Sequence, residues 1–381
     1  MRVVCAFLSL AACSFSPGAA SSTDDGGPRD PDGSTSHPTD GSSMIQPDAQ
    51  ACFGGGLATV CMNTIPQTFA KTTIDTDSSD CTMTFKPENQ RELCVIAAQS
   101  IDVTADIRAT GSRPLVLLAA TTFVLESGHQ IDVSSRDGSN PGAGANDAAC
   151  VAPNNPEGDG GGGGGGAGGS FHGKGGDGGI GDGNDNVGND GTADPGLATA
   201  TVSLAFIRGG CKGGKAGGAS PNTLGADGGN GGGAIYIIAG QSIELHGTIQ
   251  ASGAGGAASG MIQGGAGGGS GGLIGLDAPM IINAGTLAAN GAGGARGGSN
   301  NSHGGGGGKG DDGGTNTTTV PKGGQTGGND AGAAGDGTVG ATLDGTAGGK
   351  FNGGGGGGGG GAGYIYTHGT VSGAGARSPS V

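Results

Sequence analysis

Apolar and polar residues alternate along short stretches of this chain, and one alternating pattern recurs. Residues 239–253, AGQSIELHGTIQASG, echo residues 97–111, AAQSIDVTADIRATG. A period of two is the mark of a half-buried strand, because successive side chains of a strand point to opposite faces. Matching Gly111 to Gly253 sets Ile101 on Ile243, Val103 on Leu245, Ile107 on Ile249 and Ala109 on Ala251. Matching Gly253 to Gly291, a shift of 38 residues, sets Ile243 on Ile281, Gly247 on Gly285, Thr248 on Thr286, Ile249 on Leu287 and Ala251 on Ala289. The same shift places Ile235 on Leu273. Residues 115–135, LVLLAATTFVLESGHQIDVSS, fit with a two-residue insertion, and residues 364–375, YIYTHGTVSGAG, read as a shortened last copy. Residues 203–208, SLAFIR, are a further strand candidate.

Each copy holds three short strands in about 20 residues and is followed by a glycine-rich excursion. That length suits one coil of a parallel β-helix, with the isoleucines stacked in an interior column. Full burial of each inward Ile or Val contributes about 1.5–3 kcal/mol. No helical period competes. The expected fold is all-β, a right-handed parallel β-helix or solenoid-like repeat with long glycine-rich loops.

Glycine supplies 97 of 381 residues, aromatics 3% and tryptophan none, which argues against a conventional globular core. The absence of a strict every-third-residue glycine excludes a collagen triple helix. The tracts at 158–179, 264–272, 304–310 and 353–363 allow two readings. They are mobile loops, or they pack as extended strands in the manner of polyglycine II, since chains without Cβ atoms can approach closely. Tracts stand directly before repeat strands at 231–233, 267–272 and 353–363, which favours order.

The first thirteen residues, MRVVCAFLSLAAC, place Arg2 before a short apolar stretch ending in Leu10-Ala11-Ala12-Cys13. This resembles the lipobox of bacterial lipoproteins, and the resemblance implies that Cys13 is lipidated and residues 1–12 are a removed signal peptide. Ser14 after the cysteine implies an outer-membrane or cell-surface address. Residues 13–50 are Ser, Thr, Asp, Pro and Gly with little to bury, and so read as a disordered tether with a reach on the order of 35 Å. Beyond it stand six cysteines, Cys52, Cys61, Cys81, Cys94, Cys150 and Cys211. An even number in an exported chain suggests disulfides, and fifteen pairings are open, with nearest neighbours the first choice. Residues 51–93 read as a disulfide-stapled cap, and residues 94–381 as the glycine-rich repeat.

The net charge of −15, with no basic run, argues against a nucleic-acid partner. Glycine-rich chains produce accidental motifs. Gly268–Gly272 spells GxSxG and Gly168–Gly175 spells GxxxxGKG, but neither has the strand-to-helix context its chemistry needs. Among carboxylates, Asp102, Asp132 and Glu244 are the candidates for a polysaccharide lyase or hydrolase. The alignment sets Asp102 on Glu244 but Val124 and Ile282 at the same place, and Asp132 on Arg108 and Gln250, so no carboxylate ladder results. The acidic run Asp177, Asp182, Asp185, Asp190 and Asp194 is the candidate calcium site, with a spacing that departs from the EF-hand and misses the glycine-rich nonapeptide by one residue. No other cofactor is expected. His129, His172, His246, His303 and His368 lack metal-ligand spacing and read as turn or surface residues. An ice- or mineral-binding face would need ranks of threonine, for which Thr248, Thr286 and Thr370 are candidates and Asp106 an interruption.

The order of lipobox, Asp/Pro/Ser tether, cysteine pairs, LCVIAAQSIDV, RPLVLLAA, GGGGGGAGGS and GGGAIYIIAGQSI resembles glycine-rich lipoproteins of myxobacteria. That resemblance implies a lipid-anchored surface protein and assigns no activity. The glycine tracts also resemble mycobacterial PGRS proteins, although the helical amino-terminal domain of that group is missing. The expected role is a non-catalytic structural or adhesive module, held to the membrane by its lipid and facing surface polysaccharide or other cells. The alternatives are a carbohydrate-active enzyme and an ice- or mineral-binding surface.

Overall fold

The structure is a computed structural model, and it describes residues 50–88, 90–136, 140–182, 192–299 and 305–380. All of them lie within one compact unit, Asp48–Val381. Cys13 falls outside the described residues. The described residues form strands and no helix, and most strands pair in parallel. No helix among them is long and apolar enough to cross a membrane.

The chain opens with a hairpin, β1 (Ala51–Phe53) and β2 (Val60–Met62), followed by β3 (Thr73–Asp75) and β4 (Met83–Phe85). Five tiers follow. The first is β5 (Leu93–Ala98), β6 (Ile101–Val103) and β7 (Ile107–Thr110), and the second β8 (Leu115–Ala119), β9 (Thr122–Leu125) and β10 (Gln130–Asp132). The excursion after it holds a small antiparallel pair, β11 (Gly181–Asp182) and β12 (Thr192–Ala193). The third tier is β13 (Ala234–Ala239), β14 (Ser242–Leu245) and β15 (Thr248–Gln250). The fourth is β16 (Leu273–Asn283) and β17 (Thr286–Ala288), and the fifth β18 (Tyr364–Ser372) and β19 (Ala376–Ser378).

Each tier pairs in parallel with the next, and the inward residues keep register. Ile101, Phe123, Ile243, Ile281 and Val371 form one row, and Ile107, Ile131, Ile249 and Leu287 another. These rows are the core. The register differs from the sequence alignment at one place. Ile235 pairs with Ile274, not Leu273, while Ile243 still pairs with Ile281. The corner between the first two strands is one residue shorter in the fourth tier, so the shift of 38 that holds after the corner becomes 39 before it.

A second apolar cluster lies on the outer face of the tiers. In β5, β8 and β13 every residue is buried, on both faces of the sheet, which is why LCVIAA, LVLLA and AIYIIA are continuous apolar runs. The outer face, with Val95, Val116, Leu118 and Ile238, is covered by Val60 and Met62 of the hairpin and by Phe171 and Ile207. Residues 203–208 are therefore no strand. Ile207 and Arg208 are buried in that cover, and among the described residues no strand pairs with the segment.

The glycine tracts are built into the structure through their backbones. Gly355, Gly358 and Gly361 donate to the carbonyls of Gly163, Gly166 and Gly169, while Gly354, Gly357, Gly360 and Gly363 donate to Gly298, Ala295, Ala292 and Ala289. Gly356, Gly359 and Ala362 donate to Gly349, Thr346 and Leu343. Each partner tract is thus met every third residue, which is the repeat of an extended helix with three residues per turn and no internal hydrogen bonds. The carbonyls of the same tract accept from Gly265, Gly268 and Gly271, from Gly173, Gly176 and Gly179, and from Gly332 and Gly335. Residues 353–363 are surrounded on six sides. Such proximity requires glycine: a Cβ on Gly356 would stand 1.8 Å from the carbonyl oxygen of Ala333.

Candidate functional site

Between the cover and the outer face lies a buried carboxylate, Asp277. Ala97, Leu118, Ile238, Asp277 and His368 form an outward row, so Asp277 stands where three tiers place an aliphatic side chain. It is 4% exposed. Its Oδ2 accepts the amide N–H of Gly55 at 3.0 Å and of Gly56 at 2.9 Å, both from the turn of the amino-terminal hairpin. The Tyr236 hydroxyl donates to the same oxygen at 2.9 Å and itself accepts the Leu57 amide. Tyr236 reaches that far because its neighbour in the next tier is Gly275, where a Cβ would lie 2.2 Å from the ring. On the other side Oδ1 faces Nδ1 of His368 at 2.9 Å.

Burial raises the pKa of Asp277, but the amides of Gly55 and Gly56, with His368 and Tyr236, outweigh it and hold the carboxyl below its usual value. Burial pushes the Tyr236 hydroxyl strongly upward, and the Asp277 charge adds to that. His368 is half exposed and lines an open cleft of about 540 Å³ with Phe53, Gln241 and Pro279. An acid that orients a histidine makes two of the three members of a hydrolytic triad. Among the described residues the cleft is lined by no Ser or Thr and by no second carboxylate, and its Cys52 is disulfide-bonded. What the arrangement does is pin the hairpin: one carboxylate gathers four donors from three parts of the chain.

Among the described residues, the carboxylates singled out in the sequence do not assemble. Asp102 and Glu244 lie two strands apart, each paired with Val124 of β9 between them. Asp132 is 3% exposed and neutralised, facing Arg108 at 2.8 Å and Arg136, with Ser134 donating to it as well. Asp177 accepts from the Ala198 amide, Asp182 pairs with Thr192 in the β11–β12 ladder, and the Asp194 amide donates to Glu157. Asp185 and Asp190 lie outside the described residues, as does His303. Among the described residues no three His, Cys, Asp or Glu form a metal-binding group. Ser270 of the GxSxG match is fully buried and accepts the Cys211 amide. The threonine rank is broken: the row Gln130, Thr248 and Thr286 ends in Ala376, while Thr370 pairs with Met280 in another sheet.

The sulfur atoms join Cys52 to Cys61 across the hairpin, Cys81 to Cys94, and Cys150 to Cys211. Beside the last bridge lies Arg208, 1% exposed, between Asp147 and the ring of Phe171. Burial pushes its pKa down while Asp147 opposes this.

Asp277 and Tyr236 do not stand out in the sequence, and His368 reads there as a surface residue. The one signal is a carboxylate inside an apolar run, LIGLDAPMII. No protein-family model, curated protein or solved structure matches this chain.

Proposed function

We propose that the protein is a non-catalytic structural or adhesive module, exported and held at the outer membrane or cell surface by a lipid on Cys13. In this reading the five tiers are a parallel β-solenoid and the tracts around them a bundle of polyglycine II helices. The observation that carries it is the bundle: its interior is filled with backbone–backbone hydrogen bonds, and such a network makes a stiff body. Such stiffness suits a spacer or an adhesin. At the ends of the tracts stand apolar residues open to contact, Ile180, Met261 and Phe351, with Ile180 and Phe351 bordering one hollow. Three disulfides agree with folding in an oxidising compartment.

The test is a panel of surface polysaccharides and whole cells, scored for both binding and depolymerisation. Binding without turnover, weakened by Phe351→Ser, is expected. Turnover abolished by His368→Ala would overturn the non-catalytic reading in favour of a carbohydrate-active enzyme. The anchor is tested separately by Cys13→Ser, which should release the protein from membranes. Unchanged partition would refute lipidation.

A further inference from the structure

The stack of tiers ends differently at its two ends. At the first end β4 runs antiparallel along β5, Met83–Phe85 against Leu93–Val95, and covers that stretch of the edge. At the last end β18 pairs with β16, and among the described residues no strand pairs with its other side. β18 bends at Gly369 (φ 126°), opposite the register shift between Asp277 and Met280, and on each side of the bend alternate residues turn their backbone groups outward, leaving about four N–H and four C=O groups in all. The inner rows are also cut short here. Ile274 and Ile281 are fully buried, but Ile365 and Val371, their partners in the last tier, are half-buried.

Edge strands are commonly protected by lysine, proline, an inward charge or short length. The other strand of this tier has such protection: β19 is three residues long, sets Arg377 in the inner row beside Leu287, and is followed by Pro379. In contrast β18, YIYTHGTVS, holds no Lys, Arg, Asp, Glu or Pro.

We propose that β18 pairs, antiparallel, with β18 of a second copy of this chain across a two-fold axis. Two identical edges related by a two-fold axis run antiparallel, and each consumes the other, so assembly stops at two. Head-to-tail stacking would bring β18 against the edge where β4 already lies. Charge favours the same contact. Each copy carries −15, and β18 is an uncharged strand whose His368 is turned toward Asp277, so two copies meet here with little repulsion. Followed around its bend at Gly369, a strand of nine residues is about 30 Å long and a sheet about 10 Å deep, giving roughly 300 Å² per copy at most. That is well below the ~800 Å² of a standard interface, so association is concentration-dependent and favoured where copies crowd at a surface.

Sedimentation velocity of the full chain over a micromolar to millimolar series tests the proposal. Val371→Lys places a charge in the inner row, and Thr370→Lys, at an exposed position that leaves the fold intact, sets like charges near each other across the pair. The wild type is expected to pass from monomer to dimer, with at least tenfold weaker association in both lysine variants and none lost in Phe351→Ser. Far-ultraviolet circular dichroism checks that each variant is folded. A wild type that stays monomeric, one that assembles beyond two, or a dimer that survives both lysines overturns the proposal.

Discussion

Replacing Gly358 by alanine tests whether the glycine tracts are an ordered interior. In a flexible loop this change is neutral or stabilises by about 0.4–1 kcal/mol, because alanine narrows the unfolded ensemble. The structure reverses the sign. A Cβ at Gly358 would lie 2.0 Å from the carbonyl oxygen of Gly176 and 2.6 Å from its carbon. Restoring ordinary contact needs a displacement of roughly 1.2 Å, enough to stretch hydrogen bonds past the range in which they hold. Two bonds are at stake at this residue, Gly358 N–H to Gly166 and Gly268 N–H to Gly358, both 2.9 Å. Counting one buried group left unpaired for each bond, at about 1–3 kcal/mol, the loss is about 2–6 kcal/mol. Against a total of about 5–15 kcal/mol this is severe. Gly160 is the control, since nothing lies within 4 Å of its Cβ position and its residue is exposed. Urea unfolding followed by circular dichroism should show Gly358→Ala strongly destabilised and Gly160→Ala unchanged or slightly stabilised. Equal stability of the two variants would refute the ordered bundle.

Three further outcomes are expected. Because the folded Asp277 carboxyl titrates below its unfolded value of about 3.9, its contribution is present above that pH and is lost as pH falls through the lower folded value. The amide resonances of Gly55 and Gly56 should therefore shift only in acid, and Asp277→Asn should remove that transition; a transition above pH ~5 would contradict it. Removing Cys150 and Cys211 together opens a loop with a separation of 61 residues, which costs about 4 kcal/mol, and calorimetry showing no loss would deny the constraint. Asp147→Ala leaves the buried Arg208 without its carboxylate and should cost about 3–5 kcal/mol, with Arg208→Met in the same chain recovering part of it; additive losses would show that the two do not interact.

The inner rows are legible in the amino-acid sequence because a period of two maps directly onto one face of a strand. Ile101, Ile107, Ile243, Ile249 and Ile281 therefore fall into line from their spacing. The alignment fails where a corner changes length, between Ile238 and Ser242, since turns carry no alternation to count. Asp277 illustrates the larger difficulty. Its neighbours along the chain are apolar, but whether the carboxylate is a surface charge or a buried pin depends on Gly55 and Gly56, 222 and 221 positions away.

By itself, then, the sequence determined the strand pattern, the tier length, the inward face and the positions of the cysteines, all of which are set by neighbours within a few residues. Only the tertiary structure decided which tract lies beside which, what covers the outer face, and where the stack is left open. The physical reason is that a glycine tract offers identical backbone groups at every position. Its partners are chosen by distance and direction in space, and no side chain along the tract records the choice.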